Sequence, residues 1–151
     1  MLLQLSLSSL MIVATLLIQV AFIAVSIATL TRFGSWLGSG QVSAKFILAL
    51  SLLIIWLVMG LTVCCWVWAL MFLQLDVLTT LESALYFSIV TFTTLGYGDL
   101  ILTDSWRILG SLCAVNGLIL VGLNTAFLVE ALSRIRHSQV NGVRTTAEQG
   151  R

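Results

Sequence analysis

The stretch Thr93-Thr94-Leu95-Gly96-Tyr97-Gly98-Asp99 decides how this chain is read. It is short, polar and glycine-rich, and it stands between two apolar runs, residues 81–93 before it and 106–135 after it. Crossing a bilayer takes about 20 apolar residues, so the second run is long enough and the first is not. A polar, glycine-rich backbone at membrane depth cannot face lipid, because its N–H and C=O groups would go unsatisfied. It must be buried in protein or line a watery path. Residues 81–93 suit a short re-entrant helix that dips in and leads to this stretch. Thr79-Thr80-Leu81-Glu82 ahead of it has the form of a capping box, with Thr79 as N-cap and Glu82 reaching back.

Two further apolar runs lie upstream. Residues 2–30 hold no charge, and Gln4 and Gln19 are their only amides. Gln19 falls near mid-membrane, where a bond to a neighbouring helix or backbone is one of its two natural fates. The stretch from Thr31 to Gln41 carries three glycines, two serines and Arg32, the composition of a connection. Lys45 then opens a run over 46–73, whose far end bears Trp66 and Trp68 as an interfacial aromatic belt. The order is span, span, half-dip, loop, span. The expected divisions are an N-terminal transmembrane helix (1–31), a linker (32–45), a core unit (46–135: outer helix 46–73, short helix 80–92, loop 94–99, inner helix 106–135) and a polar tail (136–151). The fold class is all-α integral membrane.

Composition agrees. Only 9% of the 151 residues are charged, against about a quarter in soluble domains, and 60% are hydrophobic. Such a chain cannot dress a water-facing surface. No basic stripe suggests nucleic acid. Cys64, Cys65 and Cys113 fall in apolar runs and read as buried small hydrophobes, not zinc ligands or a disulfide framework. The N-terminus has no basic n-region, and its apolar stretch far exceeds the h-region of a cleaved signal, so it reads as retained. Arg32, Lys45, Arg134, Arg136, Arg144 and Arg151 are six of the seven basic residues, and all lie in the linker or after the last span. Arg107 lies on the other side with Asp76, Glu82, Asp99 and Asp104. The positive-inside rule places the linker and C-terminus in the cytoplasm, and the N-terminus and the 94–99 loop outside.

The loop chemistry suits a dehydrated monovalent cation, which needs rings of oxygen in place of its water. Backbone carbonyls supply them if successive residues turn those carbonyls to one side, which demands unusual backbone angles at alternate positions. Gly96 and Gly98 alternate with Leu95 and Tyr97, whose large side chains then pack backwards, and Thr94 can add a hydroxyl ring. One chain supplies a quarter of each ring, so four chains are expected around a common axis.

Thr94-Leu95-Gly96-Tyr97-Gly98-Asp99 resembles the potassium-channel family signature T-V-G-Y-G-D, and residues 84–93 resemble that family's pore helix. The resemblance covers about 46–135, is to the small bacterial-type pore-domain channels, and leaves the first span as an addition. It implies a homotetramer in which the carbonyls of Thr94, Leu95, Gly96 and Tyr97 and the Thr94 hydroxyl bind K⁺, the permeant ion. No other cofactor is implied. Gly98 permits the outer turn, and Thr93, Asp99 and Tyr86 support the filter. Leu95 replaces the commoner valine. Val90 stands where some bacterial members carry a glutamate bonded to the aspartate, which leaves Tyr86 as the candidate partner of Asp99. Retention of Tyr97 disfavours the non-selective relatives.

In the last span, Gly117 or Gly122 is the candidate bending point, with close helix packing the alternative. Asn124 lies on nearly the same face as Gly117 and either lines a cavity or bonds to another helix. Phe127 forms a hydrophobic constriction or packs between helices. The outer acids concentrate cations or are solvated loop charges. Glu130 and Arg134 are spaced to pair, and Arg134, Arg136 and His137 are placed to meet anionic lipid headgroups. No span carries regularly spaced arginines, so a voltage-sensor helix is not expected. Small size and lack of added domains point to a bacterial inner membrane. The leading expectation is a potassium-selective channel subunit; the alternatives are a weakly selective cation channel and a non-conducting regulatory membrane subunit. One histidine and no clustered acids offer no enzyme constellation.

Overall fold

The computed structural model describes residues 2–37 and 42–149, with side chains over 2–32 and 47–133. The described residues form four helices: α1 (Leu2–Leu37), α2 (Val42–Gln74), α3 (Leu81–Phe92) and α4 (Arg107–Gln149). Among the described residues, three segments are long and apolar enough to cross a membrane, Leu2–Arg32, Ile47–Gln74 and Arg107–Ser133. α3, at 12 residues, rises about 18 Å and falls short of the ~30 Å hydrocarbon core. The protein is a multi-pass, all-helical membrane protein.

The helices overrun their expected ends. α1 continues to Leu37 instead of stopping near 31, and α4 continues to Gln149 instead of ending near 135. The chain has no proline, and a helix with no breaker keeps its intrahelical bonds beyond its apolar part. Residues 38–41 of the linker, and the side chains of Lys45, Arg134, Arg136, His137, Arg144 and Arg151, lie outside the described residues. The expected Glu130–Arg134 pair and the headgroup contacts fall there too.

α2 ends in a Schellman motif. Val77 N–H donates to Phe72 O and Asp76 N–H to Leu73 O, both at 3.1 Å, with Asp76 in the left-handed region at φ 52°. Asp76 thus has a structural task that its charge alone did not announce. α3 begins one residue later than the capping box predicts. Thr80, extended at φ −126° and ψ 148°, is the N-cap, and its Oγ1 accepts from Ser83 N–H at 3.2 Å. Ser83 Oγ donates back to Thr80 O at 2.9 Å, so Ser83, not Glu82, occupies the reciprocal position.

The core joins α2, α3 and α4. Cys64, Cys65, Trp68, Ala69 and Phe72 of α2 meet Ala84 and Phe92 of α3, and Leu109, Cys113 and Leu120 of α4. The three cysteines are free and buried. Phe72 packs edge-on against Phe87 with centroids 5.3 Å apart. Trp68 is fully buried in this core while Trp66 is 40% exposed, so the expected two-tryptophan belt is corrected to one. Residues two apart on a helix face nearly opposite ways, so the two rings cannot share one environment.

α1 runs parallel to α4. Gln4 Nε2 donates to Ser105 O, Asn116 Nδ2 to Thr15 Oγ1 and Gln19 Nε2 to Asn124 Oδ1, so contacts advance along both helices in the same direction. The N-terminal end of α1 therefore sits beside the loop that follows residue 99. Single cysteines at Leu3 and Ile101, 64% and 73% exposed, should both react with an impermeant thiol reagent from the same side of a sealed vesicle, and labelling from opposite sides would refute three crossings.

Candidate functional site

The 94–99 loop grows out of the last turn of α3. Thr93 is the C-cap. Thr94 N–H donates to Thr91 O at 3.0 Å and Leu95 N–H to Val90 O at 2.9 Å, a second Schellman motif. Gly96 N–H also reaches Val90 O, at 3.2 Å. Three successive N–H groups of the loop thus point back into the helix end. Among the described residues, no carbonyl of residues 94–97 accepts a hydrogen bond.

The backbone alternates. Thr94, Gly96 and Gly98 have φ of 59°, 55° and 79°, while Leu95 and Tyr97 are not positive. In a strand successive carbonyls point to opposite sides, and inverting φ at every second residue brings them to one. Glycine is indifferent to that inversion; Thr94 is β-branched, and its left-handed conformation is a strained one held by the Schellman bonds. A Cβ at Gly96 or Gly98 would meet nothing within 4 Å, so backbone angle, not space within the chain, is what glycine supplies. Leu95 and Tyr97 remain 55% and 70% exposed.

The far end of the loop is tied down by Asp99. Its Oδ2 accepts from Tyr86 Oη at 2.6 Å and its Oδ1 from Leu100 N–H at 3.0 Å. The Tyr86 hydroxyl holds the Asp99 carboxyl below the usual carboxylate range, and the same bond raises the Tyr86 phenol. Thr93 Oγ1 donates to Ile89 O at 2.8 Å, so its hydroxyl serves the helix end. Asp104 forms an ion pair with Arg107, with both side chains largely exposed, so the two charges offset each other.

The inner-helix residues separate. Gly117 lies against the end of α3: a Cβ there would stand 2.0 Å from Phe92 O and 2.7 Å from Phe92 C. Gly122 has open space. Of the two placements open to Asn124, the structure takes the interhelical one, buried against Gln19 of α1 at 2.7 Å. Phe127 is half-buried against Leu53, Leu57 and Ala131, which is helix packing. The sequence reading missed Thr15 as the partner of Asn116; a β-branched hydroxyl in an apolar helix carries no signal of its direction.

With this geometry in place, comparison with known proteins finds that residues 63–134 match a family model described as ion channel. Among curated proteins, the A-type voltage-gated potassium channel KCND3 of Rattus norvegicus and that of Homo sapiens are each 33% identical over 72 residues, 47% of this chain. The chain spans 11% of the length of those relatives. No solved structure gives a significant match.

Two outcomes follow from the site. Gly117→Ala must displace backbone at the loop's root and should cost the assembled protein about 1–3 kcal/mol, as overpacking does, whereas Gly122→Ala should be neutral or slightly stabilising; thermal melting in detergent reads both. The Asp99 carboxyl titrates below its ordinary value, so its bond with Tyr86 is whole above the ordinary carboxylate pKa of about 4 and is lost as pH falls through the lowered one. The melting difference between wild type and Tyr86→Phe should therefore persist unchanged from neutral pH down to about pH 5 and vanish only in stronger acid; a difference that disappears between pH 7 and 5 would contradict the assignment.

Proposed function

We propose that the ion-channel domain over residues 63–134 is the pore of a potassium-selective channel that conducts K⁺ passively through a tetramer of this chain, with no covalent chemistry. One observation carries the reading. The loop commits its N–H groups of residues 94–96 to α3 and alternates the sign of φ over residues 94–98. A backbone so arranged offers successive carbonyls to an ion in place of water. In this reading Thr94, Leu95, Gly96 and Tyr97 bind K⁺, Gly98 makes the outer turn, and Tyr86 and Asp99 brace it.

Two further features support assembly. Leu95 and Tyr97, large side chains beside the ion path, are uncovered by their own chain and would be covered by a neighbouring subunit. A single loop also supplies too few oxygens to surround an ion, and closed rotational symmetry multiplies them. The helix end under the loop favours a cation, since the C-terminus of α3 carries partial negative charge. The positive-inside rule sets the 94–99 loop outside and the C-terminus in the cytoplasm. Membrane lipid surrounds the exposed apolar faces.

Purified protein in liposomes under bi-ionic potassium and sodium should reverse at a strongly potassium-biased potential. Gly96→Ala, which forces a Cβ into the left-handed region at about 1–2 kcal/mol per subunit, should abolish that current. Reversal near zero would favour a weakly selective cation pore, and Leu95 would be the suspect. Crosslinking in detergent should stop at four chains; a stable monomer or dimer would overturn the tetramer.

A further inference from the structure

We propose that Gly117 is a positioning residue for the ion path: it is a fixed seat in α4 for the last carbonyl of α3, and through that carbonyl it sets the place of Thr94. The inference rests on the channel reading.

The carbonyls of Ile89, Val90, Thr91 and Phe92 need donors from beyond the end of α3, as the last four of any helix do. The chain that follows serves three of them. Ile89 O accepts from Thr93 N–H at 2.9 Å, and Thr91 O from Thr94 N–H at 3.0 Å. Val90 O accepts from Leu95 N–H at 2.9 Å and from Gly96 N–H at 3.2 Å. Among the described residues, no N–H or O–H donates to the fourth, Phe92 O. Phe92 is 2% exposed, and a buried carbonyl without a partner is costly.

Phe92 O faces α4 instead. A Cβ on Gly117 would stand 2.0 Å from it, and 2.7 and 2.8 Å from Phe92 C and Cα. A carbon–carbon single bond is about 1.5 Å long, so Gly117 Cα itself stands no more than about 3.5 Å from Phe92 O. Only glycine carries a hydrogen in the direction of that Cβ. Gly117 Cα–H therefore points at Phe92 O within reach of a Cα–H···O contact, which spans about 3.3–3.6 Å between heavy atoms. The inner helix meets the one carbonyl that the loop leaves over.

The peptide between Phe92 and Thr93 is thus held at both polar ends, its N–H on Ile89 O and its C=O on Gly117. A peptide is planar and rigid, so pushing Phe92 O tilts the whole plane and carries Thr93 with it. Thr94 comes next, at a φ of 59° that a β-branched residue keeps only where its surroundings impose it. A second contact between α4 and α3 gives a contrast. Gly110 lies seven residues before Gly117 on nearly the same face of α4. A Cβ there would meet the ends of side chains, Leu102 Cδ1 at 3.0 Å and Phe87 Cζ at 3.4 Å. Side chains turn aside, whereas a carbonyl at the root of the loop takes its peptide along. The seat also opposes a bend at Gly117, because bending would lift α4 from Phe92 and leave that carbonyl bare.

Recordings from full-length protein reconstituted in planar bilayers test the seat and the channel reading separately. The potassium-to-sodium permeability ratio and the open probability are both read, for wild type, Gly117→Ala and Gly110→Ala, with assembly checked by crosslinking. Gly117→Ala should lower the permeability ratio by about tenfold, or about 1.4 kcal/mol between the two ions, whatever it does to open probability. Gly110→Ala should keep the wild-type ratio. A Gly117→Ala channel that keeps the ratio and changes only its open probability makes the residue a bending point and overturns the seat. A Gly117→Ala channel unchanged in both respects overturns it too. Equal loss of selectivity in Gly110→Ala also counts against it, since any crowding of α3 would then suffice. If Gly117→Ala does not assemble alone, it is co-expressed with excess wild-type chain. Tetramers holding one variant subunit should then show a partial fall in the ratio, and an unchanged ratio there overturns the seat. A wild type that passes no current, or does not prefer potassium, overturns the channel reading and the seat together.

Discussion

The last turn of α3 is the constraint on which the rest depends. A helix end leaves carbonyls with no intrahelical partner. Here the backbone of the next three residues supplies the donors, and Thr94, Leu95 and Gly96 turn their N–H groups back into the turn they have just left. That single choice fixes the loop's direction and forces Thr94 into a left-handed conformation. It also leaves the loop's carbonyls for something other than the protein's own backbone. At the other end Tyr86, on the same helix, takes hold of Asp99. The loop is strung between two points of one 12-residue helix, so its geometry is only as firm as the seating of that helix.

The seating comes from aromatic and small residues in alternation. Phe72, Phe87 and Trp68 fill the space between α2 and α3, and Gly117 lets the α4 backbone come against Phe92. Lipid tails are as apolar as leucine, so burial alone does not drive helices together in a bilayer. Close backbone approach, ring packing and interhelical amide bonds do that work, and all three are present. The N-terminal helix depends most on the third kind, through Gln4, Thr15 and Gln19. Its exposed leucines and valines leave its other face to lipid or neighbouring chains.

Glycine has two separate uses here. At Gly96 and Gly98 the requirement is a sign of φ, with empty space where a side chain would go. At Gly117 and Gly60 the requirement is room, for a backbone carbonyl in one case and for an amide and a phenylalanine ring in the other. Composition cannot separate these uses, since a glycine in a helix and a glycine in a loop are the same letter. Gly122 meets neither requirement within the chain.

The sequence by itself determined the all-helical membrane class, the three spans and the short helix between the second and third. Those follow from the length and continuity of apolar runs, which are local properties. It also marked the alternation of glycine with large residues after α3, and Tyr86 as the candidate partner of Asp99. Only the tertiary structure decided which of two neighbouring threonines caps α3, that Asp76 closes α2, and that Trp68 is core while Trp66 is not. The same holds for Asn124, which the sequence left between cavity and contact and which packing turned toward Gln19. The physical reason is common to all of these. A polar or small residue in an apolar helix reveals that it needs a partner or a space, but the direction in which it finds one is set by the rotation of its helix against the others. That rotation is fixed by side chains a hundred residues away.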